Sequence, residues 1–199
     1  MAKDQENGSG EPRMSAAAIV MERIQGVSPR LNARIAGGLY FLTLLTAQIL
    51  EWLFPGKMNL AAGVIEIVGM LAVTLILYVL FRPVSRSLSL LAAACNMVGL
   101  ILEAIQLKAH GTDVAMVFHG LFCILIGTLI FRSRFLPRIL GALIAIGGLG
   151  WLTYLSPRLF PWNLACGLAG EVSVFLWLVV MGVNVERWEE RTSAAPIRK

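Results

Sequence analysis

The chain has 199 residues, 57% of them hydrophobic and only 15% charged, with a mean hydropathy of +0.75. Soluble domains run about 45–50% apolar and about 25% charged, and disordered chains pair low hydrophobicity with high charge, so both classes are excluded. The net charge of +5 would suggest nucleic acid in a soluble protein, but the basic residues here fall in tails and connections between apolar runs. There they orient a chain in a lipid bilayer, and no nucleic-acid partner is expected.

In chain order, residues 1–32 read as a disordered cytoplasmic tail, rich in Gly, Ser, Glu and Lys as far as Arg13. Within it AAAIVMERI (16–24) suits a short helix lying at the membrane surface, and Met14 offers an alternative start. No cleavable signal peptide is expected ahead of the first apolar run. Six runs then reach the ~20 residues needed to span a hydrocarbon core. They occupy about 35–54, 59–81, 87–107, 114–132, 136–155 and 162–183. Pro55, Pro83, Pro137, Pro157 and Pro161 fall in or beside the connections, and no span interior holds a proline. The predicted architecture is all-α: a polytopic six-helix transmembrane domain over residues 33–188, followed by a cytoplasmic C-terminal tail at 189–199.

Charge sets the orientation. Of the 17 Lys and Arg, all but Lys57, Lys108 and Arg158 fall on the side that carries both tails. Positive residues concentrate on the cytoplasmic face, so both termini are expected there, with the chain in the bacterial inner membrane. Trp52, Trp151, Tyr154 and Trp162 then sit at the outer ends of spans as interfacial anchors, and Tyr78 and Trp188 at the inner ends. Gly141, Gly147, Gly148 and Gly150 concentrate in the fifth span, where small residues permit close helix packing. Cys95, Cys123 and Cys166 all lie in apolar stretches without a CxxC pair and read as small buried residues.

Three stretches together, ARIAGGLYFLT (33–43), FRSRFLPRILGALIAIGGLGWLTY (131–154) and GEVSVFLWLVVMGVNVERW (170–188), resemble a bacterial six-span integral membrane protein family. The family is a domain of unknown function of the DUF4386 type. The resemblance implies a six-span membrane domain over essentially residues 33–188, and it brings no catalytic residues or cofactor with it.

The informative side chains are those that do not belong in lipid, where a charge near a helix centre costs about 2.5–3.5 kcal/mol on insertion scales. They are Glu51, Glu66, Glu103, His119 and Glu171, with Gln48, Asn96 and Gln106 beside them. At ~1.5 Å rise per residue, all the ionisable members fall in the outer half of their spans, from about 5 Å (Glu51) to about 14 Å (Glu171) from the outer end. Asn96, Gly99, Glu103 and Gln106 share one helical face, and His119 and Cys123 are spaced i, i+4. Glu66, Glu103, His119, Glu171, Asn96 and Glu51 are therefore candidate ligand- or proton-binding residues. No catalytic residue, cofactor or metal centre is expected, since HExxH, HxxxH and GxSxG are absent and the chain has only His110 and His119.

The favoured reading is a non-enzymatic membrane protein that binds or passes a small ligand or proton at an outward-facing Glu/His site. A structural or accessory subunit, packing on a membrane-protein partner or on copies of itself, is the first alternative. A membrane-embedded metal-dependent hydrolase, using Glu and His as ligands, is the second.

Overall fold

The computed structural model describes residues 16–54, 59–109, 112–153 and 162–194. Residues 1–15 of the tail expected to be disordered over 1–32, Met14 among them, the connection residues Pro55, Lys57, Pro157, Arg158 and Pro161, Tyr154, His110 and the last five residues lie outside these. Among the described residues the chain is all-helical apart from one two-residue hairpin. The helices are α1 (Ala16–Gly26), α2 (Pro29–Leu53), α3 (Asn59–Phe81), α4 (Arg86–Ala104), α5 (Ala115–Ser133), α6 (Arg138–Leu152), α7 (Trp162–Val180) and α8 (Val185–Ala194). The hairpin, β1 (Lys108–Ala109) with β2 (Thr112–Asp113), pairs antiparallel between α4 and α5.

Local chemistry accounts for the boundaries. α2 starts at Pro29, ahead of the apolar run, because Ser28 accepts from the Leu31 N–H at 3.3 Å and proline suits the first helical turn. Ser85 and Asn184 cap α4 and α8 in the same way, through Leu88 N (3.4 Å) and Arg187 N (3.1 Å). α7 stops at Val180, short of the apolar run, because Gly182 takes a left-handed φ of 69° while the Met181 and Gly182 N–H groups turn back onto the Trp177 carbonyl. α4 ends at Ala104, and Gln106 has a φ of 51°. Gln106 is thereby removed from the helical face that it shares in sequence with Asn96 and Glu103.

Helices α2 to α7 pack each on the next, and α7 packs back on α2, so the six close into a ring. Each coincides with one of the apolar runs. By length and composition Ala61–Phe81, Arg86–Ala104 and Ala115–Ser133 suffice to cross a membrane, and a fourth passes if α7 and α8 are joined across their 97° bend. The outside of the ring is apolar: Leu42, Val68, Ile101, Ile139 and Leu149 are all more than half exposed. A soluble monomer rarely exposes contiguous apolar surface on that scale, so the ring suits a lipid surround.

Glycine sets the closest helix approaches, as its concentration in the fifth run predicts. A Cβ at Gly127 of α5 would stand 2.6 Å from the Gly141 carbonyl oxygen of α6, and one at Gly148 would stand 2.6 Å from that of Gly120. Gly147 and Gly170 make the matching contact between α6 and α7. In lipid no hydrophobic gain draws helices together, so such close packing carries the association.

The two ends of the ring differ. The fully buried apolar side chains Leu80, Phe81, Leu129, Ile130 and Leu178 fill the end formed by the α3 C-terminus, the α5–α6 connection and the α7–α8 turn. Against that end α8 docks through Trp188 Nε1, which donates to the Leu80 carbonyl at 2.9 Å, and through Arg187, which donates to the Arg134 carbonyl at 3.1 Å. The opposite end, near the hairpin, holds a cavity.

Candidate functional site

The cavity has a volume of about 580 Å³ and is bounded by side chains from all six ring helices. It gathers Glu66 from α3, Asn96 and Glu103 from α4, His119 from α5 and Glu171 from α7. Five of the six sequence candidates thus meet around one space. The sixth, Glu51, lies on α2, and its side chain is outside the described residues, as is that of Gln48.

Glu171 is the most elaborated of them. It is 4% exposed on an otherwise apolar helix, and a carboxylate removed from water requires partners. Three helices supply them. The Tyr40 hydroxyl of α2 donates to Oε2, the Trp151 indole N–H of α6 donates to Oε1, and His119 Nε2 of α5 lies 2.9 Å from Oε1. Cys123, one turn beyond His119, places its Sγ 3.7 Å from Glu171 Oε1 and 3.8 Å from His119 Nε2. One side chain is therefore tied to three neighbouring helices and accepts from several donors, the arrangement that suits an acceptor-only carboxylate.

The aromatic groups are themselves held. Tyr40 stacks on Phe175, ring centroids 3.8 Å apart and planes within 8°, and the Trp151 edge meets His119 at 5.8 Å. A Cβ at Gly167 would collide with the Trp151 ring, so the glycine of α7 makes room for the indole beside Glu171.

The remaining candidates differ in role. Asn96 is 2% exposed and donates through Nδ2 to Thr74 Oγ1, which in turn donates to the Met70 carbonyl. Its amide therefore joins α4 to α3 at the cavity wall. Glu66 and Glu103 are half-buried, and among the described residues neither carboxyl has a hydrogen-bonded or ion-paired partner.

Sequence reasoning misplaced one member, read a second only in part and overlooked a third. Trp151, expected at the outer interface, is buried and turned inward to Glu171, since its indole N–H finds a carboxylate partner inside the ring. Cys123 is buried as expected, yet it contacts two polar groups rather than apolar side chains alone. Tyr40 was not singled out. Its signal is a phenol in the middle of an apolar span, where its hydroxyl must find an acceptor.

Comparison with known proteins extends the resemblance. Residues 100–182 match the family model described as Domain of unknown function (DUF4386), a stretch that contains Glu103, His119, Cys123, Trp151 and Glu171. An uncharacterized protein of Archaeoglobus fulgidus is 29% identical over 143 residues, covering 63% of this chain and 88% of the relative. No solved structure matches.

Proposed function

We propose that this chain, a DUF4386 protein through residues 100–182, is a six-span membrane protein that binds or passes a small ligand or proton in its acidic cavity. The observation that carries the reading is the convergence of Glu66, Glu103, His119 and Glu171 on one space of about 580 Å³. Intramembrane ionisable residues are costly and generally mark ligand, ion or proton paths when they face a bundle interior. Glu171 and its donors form the fixed wall. Glu66 and Glu103, without partners among the described residues, meet what enters. Two acidic groups facing one space favour a cationic ligand or a proton.

The proposed orientation puts both termini in the cytoplasm and the cavity mouth on the outer side. It rests on the placement of Lys and Arg along the chain, with all but three on the side of the tails. A C-terminal fluorescent-protein fusion that lights up, together with an inactive C-terminal alkaline phosphatase fusion, is expected. The reverse pattern inverts the assignment.

Proton uptake into proteoliposomes, read with an internal pH-sensitive dye between about pH 5 and 8, tests the function. The wild type is expected to take up protons faster than empty vesicles, and Glu66→Gln with Glu103→Gln is expected to abolish the difference. A double variant indistinguishable from wild type would refute the proton arm. Unchanged retention of a small organic cation such as tetramethylammonium would refute the ligand arm.

One observation favours a second reading. Glu171 joins α7 to α2, α5 and α6, which is also what an interhelical tie in a structural or accessory subunit would do. That reading predicts that Glu66→Gln and Glu103→Gln change nothing measurable while one partner protein co-purifies stoichiometrically.

A further inference from the structure

We infer that His119, Cys123 and Glu171 form a binding site for a transition-metal ion of the Zn²⁺ class at the wall of the cavity. The three side chains offer one nitrogen, one sulfur and one oxygen, all within 4.8 Å of one another. That donor set is matched to zinc and its neighbours rather than to Mg²⁺ or Ca²⁺, which require oxygen ligands. His119 and Cys123 are one helical turn apart on α5, the spacing that presents two ligands from one face. Glu171 completes the set from α7, across the ring.

The distances are close to those of a bound ion. Metal bonds of about 2.0–2.3 Å in a tetrahedron separate the ligand atoms by roughly 3.3–3.7 Å. Here Sγ lies 3.8 Å from His119 Nε2 and 3.7 Å from Glu171 Oε1. Only the His119–Glu171 pair, at 2.9 Å, must open to admit the ion, by roughly half an ångström.

The surroundings supply what a metal centre requires. Tyr40 and Trp151 donate to the Glu171 carboxylate and fix its orientation, the outer-shell arrangement found around ligating carboxylates. His119 and Glu171 line the cavity, so an ion has a path in from that space. Three protein ligands with one open position is the pattern of an exchange-competent zinc centre, in contrast to closed four-ligand structural sites.

This inference rests on reading the cavity as a ligand site, and its test separates the two. The full chain, purified in detergent and stripped with a chelator, is titrated with Co²⁺ and then with Zn²⁺. One Co²⁺ per chain is expected, with a thiolate-to-cobalt absorption band that Zn²⁺ displaces. Cys123→Ser is expected to remove the band, whereas Cys95→Ser and Cys166→Ser keep it. Trp151→Phe and Tyr40→Phe are expected to weaken binding about 10–100-fold. Gel filtration of Cys123→Ser, a near-isosteric change, controls for folding. No stoichiometric Co²⁺ in the wild type, or a thiolate band that survives in Cys123→Ser, overturns the metal site. If metal uptake fails while Glu66→Gln with Glu103→Gln still abolishes proton uptake, the metal site falls alone. If both expectations fail, the cavity reading falls with it.

Discussion

Replacing Gly127 with alanine adds one methyl group at one of the two closest approaches of α5 and α6. The new Cβ would stand 2.6 Å from the Gly141 carbonyl oxygen and 2.9 Å from the Ala145 Cβ, both on α6. Restoring ordinary contact requires α6 to retreat by roughly 0.8 Å, because neither neighbour is the free end of a flexible side chain. α6 has little freedom to move. Its other flank meets α7, where Gly170 lies against the Leu143 carbonyl and Gly147 against that of Gly167. Overpacking of this kind costs about 1–3 kcal/mol, and alanine recovers up to about 1 kcal/mol through its better helix propensity. Gly127→Ala should therefore lower stability by about 1–2 kcal/mol. Gly38→Ala is the matched control, since a Cβ there meets nothing within 4 Å and only the propensity gain remains. Reversible unfolding in mixed detergent micelles should show the two variants shifting in opposite directions. A Gly127→Ala protein as stable as wild type, or a Gly38→Ala protein destabilised equally, would refute the account of glycine as the source of close packing.

Trp151→Phe keeps an aromatic ring but removes the indole N–H donor to Glu171 together with part of the buried ring, and should lower stability by at least about 1.5–3 kcal/mol in the same assay, as expected for a hydrogen bond to a charged group. Asn96→Ala leaves the Thr74 hydroxyl without its donor inside the α3–α4 contact and should cost about 1–3 kcal/mol, whereas the paired change with Thr74→Val should recover part of that loss. Arg187→Ala should speed amide hydrogen exchange in α8 while leaving α5 protected, because the side chain anchors that helix to the Arg134 carbonyl.

The length of the apolar runs and the placement of prolines located the helices well because both act over whole segments. Six runs of apolar residues became α2 to α7, and their ends moved only where a single residue controls the backbone. Gly182 and Gln106 are such residues. Each adopts a positive φ that no run of hydropathy registers. The site was legible in kind, since a carboxylate within an apolar helix must face something polar, and Glu66, Glu103, His119 and Glu171 do face one cavity. Their partners were less legible. Trp151 and Tyr40 are amphipathic aromatics, and a sequence places them equally well at an interface or against a buried acceptor. Which applies depends on the rotation of α2 and α6 about their axes. That rotation is fixed by contacts such as Gly127 with Gly141, between residues of different helices.

The same geometry bears on the direction in which the cavity faces. The acidic cavity lies where α4 ends and α5 begins, whereas Arg134, Arg138, Arg187 and Arg191 surround a second space of about 820 Å³ where α5 ends and α6 begins. The two lie at opposite ends of the same ring, separated by the buried apolar layer of Leu80, Leu129 and Leu178. Two of these arginines also support structure: Arg187 and Arg191 donate to the carbonyls of Arg134 and Arg132 and hold α8 across the end of the bundle. Removing positive charge to test orientation therefore also loosens α8. Adding charge at the other end avoids that coupling. Lysines introduced at Ile105, the α4 cap, and at Gln106 just beyond it, both exposed, should weaken or invert the orientation without disturbing α8. A C-terminal fluorescent fusion reads the result. An unchanged signal from a chain carrying several such lysines would mean that the basic end does not set the topology by its charge.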